Sequence, residues 1–166
     1  MADYPALLLE RYRTKGVLID ANLMVLLAVG NYNKHRILNF KRTIQYTLND
    51  LELMVRILTY FDRCLTTPNI LTEVDNLSRQ LPAAEHEALA TAFAQLVSRK
   101  FEIYVQSSQV AQHSAYFKLG LTDCATAVAA AEAGALIITD DFRFSNVLSR
   151  LGMDAININH IRTLNW

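Results

Sequence analysis

The sequence predicts an α/β domain: a central, mostly parallel β-sheet flanked by helices. Three observations carry that prediction. Short apolar runs end abruptly on polar residues, as Val17-Leu18-Ile19 does on Asp20 and the run from Ala135 does on Thr139. Between such runs lie stretches of helical length with apolar residues at helical spacing. The two kinds of segment alternate along the whole chain, which is the pattern of parallel strands joined by helical crossovers. At 166 residues the chain has the length of one domain and enough apolar content, 52%, to build a core.

The elements follow in order. Residues 17–19 form a first buried strand, and residues 21–29 a helix that stops near Gly30-Asn31, a favourable C-cap pair. Residues 31–46 are mixed and basic. Residues 48–63 have helical spacing with Asn49 or Asp50 as cap, so an extended helical segment at about 31–63 sits inside the single domain of residues 1–166. A strand at 64–67 precedes Pro68, and a helix begins near Leu71-Thr72. Pro82 opens a helix over 83–99, a residue suited to a first turn. Residues 101–105 alternate as a strand does, and a short polar helix follows at 108–118. Thr122 caps an alanine-rich helix, 123–133, closed by Gly134. A strand over 135–139, a helix over 145–151 and a last strand over 155–158 complete the chain.

Sixteen basic residues balance sixteen acidic ones, so any nucleic-acid surface has to be a local patch. Two cysteines, Cys64 and Cys124, are too few for a disulfide framework and read as buried thiols. The opening MADYPALLLERYR lacks the features of a signal peptide. The longest apolar runs are broken by Asp20, Asn22 and Glu132 and are too short to span a bilayer. The expectation is a cytoplasmic protein with no membrane segment. The histidines show no ligand spacing, and neither a zinc pattern nor a glycine-rich phosphate loop is present.

Carboxylates are the chemically informative residues. Asp20 and Asp141 each follow an apolar run, and in a parallel sheet both would stand at the carboxyl edge, where ligands gather. Asp123 opens the alanine-rich helix, either as a favourable first-turn acid or as a third member of the group. Glu73 flanks the apolar face made by Ile70, Val74, Leu77 and Leu81, so it either borders the core or reaches the same edge. Collected acids of this kind suit Mg²⁺ or Mn²⁺, which take oxygen ligands and serve phosphodiester hydrolysis. Without a cation they would repel and raise one another's pKa. In that arrangement Asp141 is the ligand and Asp140 an outer, supporting acid.

Asp20-Ala-Asn22 after a first strand resembles the opening motif of the PIN-domain nuclease family. Glu73 after a Pro-containing second strand, Leu121-Thr122-Asp123 opening an alanine-rich helix, and Thr139-Asp140-Asp141-Phe142 are similar to that family's later acids, in order and approximate spacing. The resemblance covers essentially the whole chain. It implies a metal-dependent endonuclease acting on single-stranded RNA and leaving a 5′ phosphate and a 3′ hydroxyl. Asp20, Glu73, Asp123 and Asp141 would bind the ions; Asn22 would orient the metal shell or attacking water, and Thr139 would support the site by hydrogen bonding. Many small members resemble toxins of the VapC type, silenced by a small antitoxin that inserts a basic residue into the acidic pocket. The added length between Gly30 and Arg63 departs from compact members of that group.

Further candidates surround these acids. Arg143 is placed to meet a phosphate, to neutralise the acids or to lie on the surface. Lys34, His35 and Arg36, with Lys41 and Arg42, either guide an RNA backbone or form a solvated face, with Tyr32 and Phe40 available for stacking. Leu26, Leu27 and Val55 serve a homodimer or the core. Two other function classes compete. A haloacid-dehalogenase-like phosphatase would want an aspartate where Asn22 stands and a threonine where Met24 stands. A PIN-like module that only binds RNA or a protein would keep the fold without the activity.

Overall fold

The computed structural model describes residues 4–162. Five strands, β1 (Val17–Ile19), β2 (Cys64–Thr66), β3 (Phe101–Glu102), β4 (Leu136–Thr139) and β5 (Ala155–Asn157), form one sheet in the order β3-β2-β1-β4-β5. Every pairing is parallel, with Leu18 opposite Leu65 and Ile137, and Thr139 opposite Asn157. The expected α/β fold is therefore present. All five strands aim their carboxyl ends at one edge. The chain builds outward from β1 through β2 and β3, then returns to add β4 and β5 on the other side. That reversal opens a crevice between the ends of β1 and β4, where α/β sheets accept ligands.

The helices are α1 (Tyr4–Tyr12), α2 (Ala21–Tyr32), α3 (Leu48–Tyr60), α4 (Pro68–Ser78), α5 (His86–Val97), α6 (Ser107–Gln112), α7 (Tyr116–Ala133), α8 (Phe142–Arg150) and α9 (Ile158–Ile161). Every residue of β1 and β4 is buried, so both faces of the sheet are covered and these strands can be continuously apolar. Residues 23–29 of α2 are buried in an unbroken row, because α3, α4 and α5 pack around that helix. On α7 the small side chains of Ala125, Ala127, Ala129 and Ala130 are buried where the helix meets β1, β4, α4 and α8. Among the described residues no helix is long and apolar enough to cross a membrane.

Several boundaries differ from expectation. A first helix, α1, occupies residues 4–12, and residues 1–3 of the opening stretch lie outside the described residues. Gly30 does not end α2; a Cβ there would come within 2.6 Å of the Leu51 side chain, so the glycine serves close helix packing. Helix α4 starts at Pro68, capped by Thr67, three residues before the expected start. Strand β3 keeps only two of the five residues expected. Thr122 is not a cap: α7 already runs from Tyr116, interrupted at Gly120, whose φ of 77° and ψ of −178° suit glycine alone. Asp123 consequently lies in the first turn after that break. Helix α8 begins at Phe142 rather than Ser145.

Leu26 and Leu27 are core residues, 0% and 5% exposed, and offer no surface to a second copy; of the three apolar candidates only Val55 is exposed. Helix α3 is capped by Thr47 rather than Asn49 or Asp50. The Thr47 hydroxyl accepts from the Asp50 amide at 3.2 Å, while the Asp50 carboxylate accepts from the Thr47 amide at 2.8 Å. Thr47→Ala should lower stability by about 1 kcal/mol and the melting temperature by roughly 2–4 °C, read by thermal unfolding.

Candidate functional site

Asp20 is the N-cap of α2 and is only 5% exposed. Its Oδ1 accepts the Leu23 amide at 2.9 Å, which fixes the carboxylate over the first turn. Its Oδ2 accepts both the Thr139 hydroxyl and the Asp140 amide, the latter at 3.1 Å. The same Thr139 hydroxyl accepts the Asp141 amide at 2.9 Å. One fully buried threonine at the end of β4 thus ties Asp20, at the end of β1, to Asp141, and the Asp140 amide bonds Asp20 directly. Burial pushes Asp20 well above the usual carboxylate range, the nearby Asp140 charge pushes it further, and the three hydrogen bonds pull in the opposite direction.

The paired aspartates diverge. Asp140 turns to Asn22, whose amide nitrogen donates to Oδ1 at 3.3 Å, and to Tyr46, whose hydroxyl donates to Oδ2. Asp141 caps α8, its Oδ1 accepting the amides of Arg143 at 2.6 Å and Phe144 at 3.0 Å. Its second oxygen accepts no hydrogen bond from the described residues. Asp123 is raised to about 6, first by burial, then by the negative charges of Glu73 and Asp141, with Arg143 acting against them. Glu73 itself borders a cleft of about 450 Å³ shared with Tyr104, Leu121 and Thr122.

The edge therefore holds two electrostatic groups. In one, the Asp20 carboxylate accepts from the Thr139 hydroxyl and the Asp140 amide while the Asp140 carboxylate accepts from Asn22 and Tyr46; in the other, Asp123 responds to Glu73, Asp141 and Arg143. Asp140, expected as an outer acid, is the one whose charge Asp20 feels. Among the described residues no three side chains of histidine, cysteine, aspartate or glutamate converge as a ready metal shell. In chemistry the donors still fit a hard divalent cation: all are carboxylate oxygens, and Asp20 and Asp123 are pushed up by burial and then by neighbouring carboxylates. Mg²⁺ commonly takes one or two carboxylates and completes its shell with water and substrate phosphate, so such groups suffice.

Arg143 is exposed and donates to the Lys118 carbonyl beside Asp123. Lys34 and Arg36 are not brought to this edge. Helix α2 leaves the edge at Ala21 and runs 12 residues, about 18 Å, before the segment that carries them begins. Arg36 is instead held by Glu85 at 2.7 Å, and the Tyr32 hydroxyl donates to the same carboxylate at 3.2 Å. Phe40 is buried and cannot stack on a base, while Tyr32 is half-buried with its hydroxyl engaged by Glu85.

Two residues that matter here carry no sequence signal. Tyr46, 2% exposed, comes back from the segment between α2 and α3 to Asp140. Arg162 lies over the Tyr46 ring, 6.0 Å from its centroid, and pairs with Asp50 at 2.7 Å. Neither a protein-family model nor a curated protein matches this chain, so the function of this edge rests on its own carboxylates, hydrogen bonds and charges.

Proposed function

We propose that the chain is a Mg²⁺- or Mn²⁺-dependent endoribonuclease that hydrolyses phosphodiester bonds of single-stranded RNA at the acidic edge. The observation that carries the reading is the gathering of carboxylates at the carboxyl edge of the sheet, where burial first and neighbouring negative charge second raise both Asp20 and Asp123. Asp20, Glu73, Asp123 and Asp141 would hold the ions, and Asp140 joins them as the acid nearest Asp20 in effect. A bound divalent ion would supply an activated water and charge neutralisation at the phosphate.

The chain's own residues supply orientation. Thr139 locks one oxygen of Asp20, leaving its position little freedom. Asn22 steers Asp140, and the α8 cap steers Asp141 by fixing one of its oxygens. Arg143 stands where it would meet a substrate phosphate. Membership of a toxin–antitoxin pair fits the same chemistry, because a basic residue of a small antitoxin would relieve the same crowding.

A labelled single-stranded RNA of mixed sequence should be cut with Mn²⁺ and left whole in EDTA, and calorimetric titration of Mn²⁺ into the apo protein should show binding. The lack of a preassembled three-acid shell favours one alternative, a PIN-like module that binds RNA or protein without cutting it. Absence of both cutting and Mn²⁺ binding would decide for that alternative.

A further inference from the structure

Beside the acidic edge, the first turn of α7 and the outer side of α8 enclose a cleft of about 410 Å³ lined by Lys118, Arg143, Asn146, Val147 and Arg150. Three of these five residues are cations, and each is exposed. Arg143, Asn146, Val147 and Arg150 fall at helical spacing, so they form one stripe along α8, spanning about 10 Å between the two arginines. The side chains of Lys118 and Arg150 make no hydrogen bond or ion pair among the described residues. Arg143 gives an N–H to the Lys118 carbonyl and forms no ion pair within 4 Å among the described residues. Lys118 and Arg150 have no counter-ion among the described residues, and Arg143 is offset only by the Asp123 charge, so the cations lining the cleft favour a polyanion.

Two large exposed aromatics are chain neighbours of the cleft's cations, although neither lines the cleft itself. Phe117, next to Lys118, is 90% exposed, and Phe142, between Asp141 and Arg143, is 56% exposed. The helix break at Gly120 separates the turn that carries Phe117 and Lys118 from the rest of α7. Exposed rings beside unpaired cations are the elements with which proteins hold single strands: rings stack on bases and cations track phosphates. The net charge of zero makes this local concentration informative.

We propose that the α7–α8 cleft is the strand-binding track of this protein, with Lys118, Arg143 and Arg150 on consecutive phosphates and Phe117 and Phe142 on flanking bases. The track delivers a single-stranded RNA to the acidic edge. It deepens the nuclease reading and rests on it for what happens to the strand, but its binding requires no metal.

The test is fluorescence anisotropy of a labelled 12-nucleotide RNA in EDTA, across a series of salt concentrations, with the full chain. Lys118→Gln/Arg150→Gln should weaken binding about tenfold or more and reduce the salt slope by about 1.4, roughly 0.7 for each phosphate of a single strand left without its cation. Phe117→Ala should weaken binding by at least about fivefold with the salt slope unchanged. Arg13→Gln/Arg56→Gln, which removes two exposed cations elsewhere, should leave affinity near that of the wild type, and thermal melts confirm that each variant is folded.

Unchanged affinity and slope in the Lys118/Arg150 variant would overturn the track, even if the wild type cuts RNA with Mn²⁺. Loss of binding in that variant, with no cutting by the wild type under any metal, would keep the track and remove the nuclease reading. A wild-type dimer in sedimentation that Phe117→Ala dissolves, with RNA affinity untouched, would reassign the face to a second copy and overturn the track.

Discussion

Asp20→Asn should reduce Mn²⁺-dependent RNA cleavage by on the order of 10³-fold, about 4 kcal/mol of barrier, while leaving the chain folded. Asparagine preserves the cap, since its carbonyl can take the Leu23 amide, but it removes the charge that would hold a cation. The same substitution should change stability with a defined sign. The folded-state pKa of Asp20 is raised, so the folded chain holds this proton more tightly than the unfolded chain does. The wild type therefore loses stability as pH rises from the unfolded value, about 4, through the raised folded value. The asparagine variant does not titrate there. In metal-free buffer at pH 7–8 it should melt roughly 2–4 °C above the wild type, a gain of about 1 kcal/mol. The two curves should converge near pH 4. The loss of the Asp140 amide's acceptor works against this gain, which keeps it modest. Cleavage that persists at the wild-type rate would remove Asp20 from the chemistry, and a variant less stable at neutral pH would show that its hydrogen bonds outweigh its charge.

The residues differ in how far the sequence could place them, and the differences have physical causes. The central strands were legible because a parallel strand buried on both faces must be continuously apolar, and Val17-Leu18-Ile19 and Leu136 to Thr139 are bounded by residues that cannot continue it. Once both strands are parallel, their following acids must share an edge. The misplaced helix starts have a common source: the cap lies before the first periodic apolar residue, so Thr67 with Pro68 and Asp141 with Phe142 open their helices three residues early. Asp141 was thereby legible as an edge acid, but not as a cap with one oxygen engaged.

The different partners of Asp140 and Asp141 arise beyond the end of β4, where Asp140 meets Asn22 and Tyr46 and Asp141 turns to cap α8, contacts set by packing rather than by local pattern. The exclusion of Lys34 and Arg36 from the edge does follow from the sequence, since a 12-residue helix that leaves the carboxyl edge at Ala21 carries them about 18 Å away. The cations of the α7–α8 cleft were hidden as well. Lys118 and Arg150 are distant in sequence, and only the packing of α7 on α8 joins them.

Tyr46 is the residue least accessible from sequence, and its replacement should have the largest effect on stability. It sits in the segment between α2 and α3, just before the Thr47 cap, and is among the largest side chains buried in the core. Tyr46→Ala would leave a cavity, remove the donor from Asp140 Oδ2 and withdraw the ring beneath Arg162. Aromatic-to-alanine changes in cores cost about 3–5 kcal/mol, which for a chain of this length lowers the melting temperature by roughly 6–20 °C. Tyr46→Phe separates packing from chemistry. It keeps the ring, so its stability should fall by only about 1 kcal/mol. It frees Asp140 from the hydroxyl that orients it, so cleavage should fall about tenfold, as for other losses of a group that positions a ligand. Melting curves and cleavage rates of the two variants test both statements. A Tyr46→Ala melt within about 3 °C of the wild type would mean that this segment is not anchored through the ring. A Tyr46→Phe rate equal to the wild type would mean that Asp140 keeps its direction through Asn22 alone. If both effects appear, the segment between α2 and α3 is part of the site's framework, reaching the carboxylates through one tyrosine.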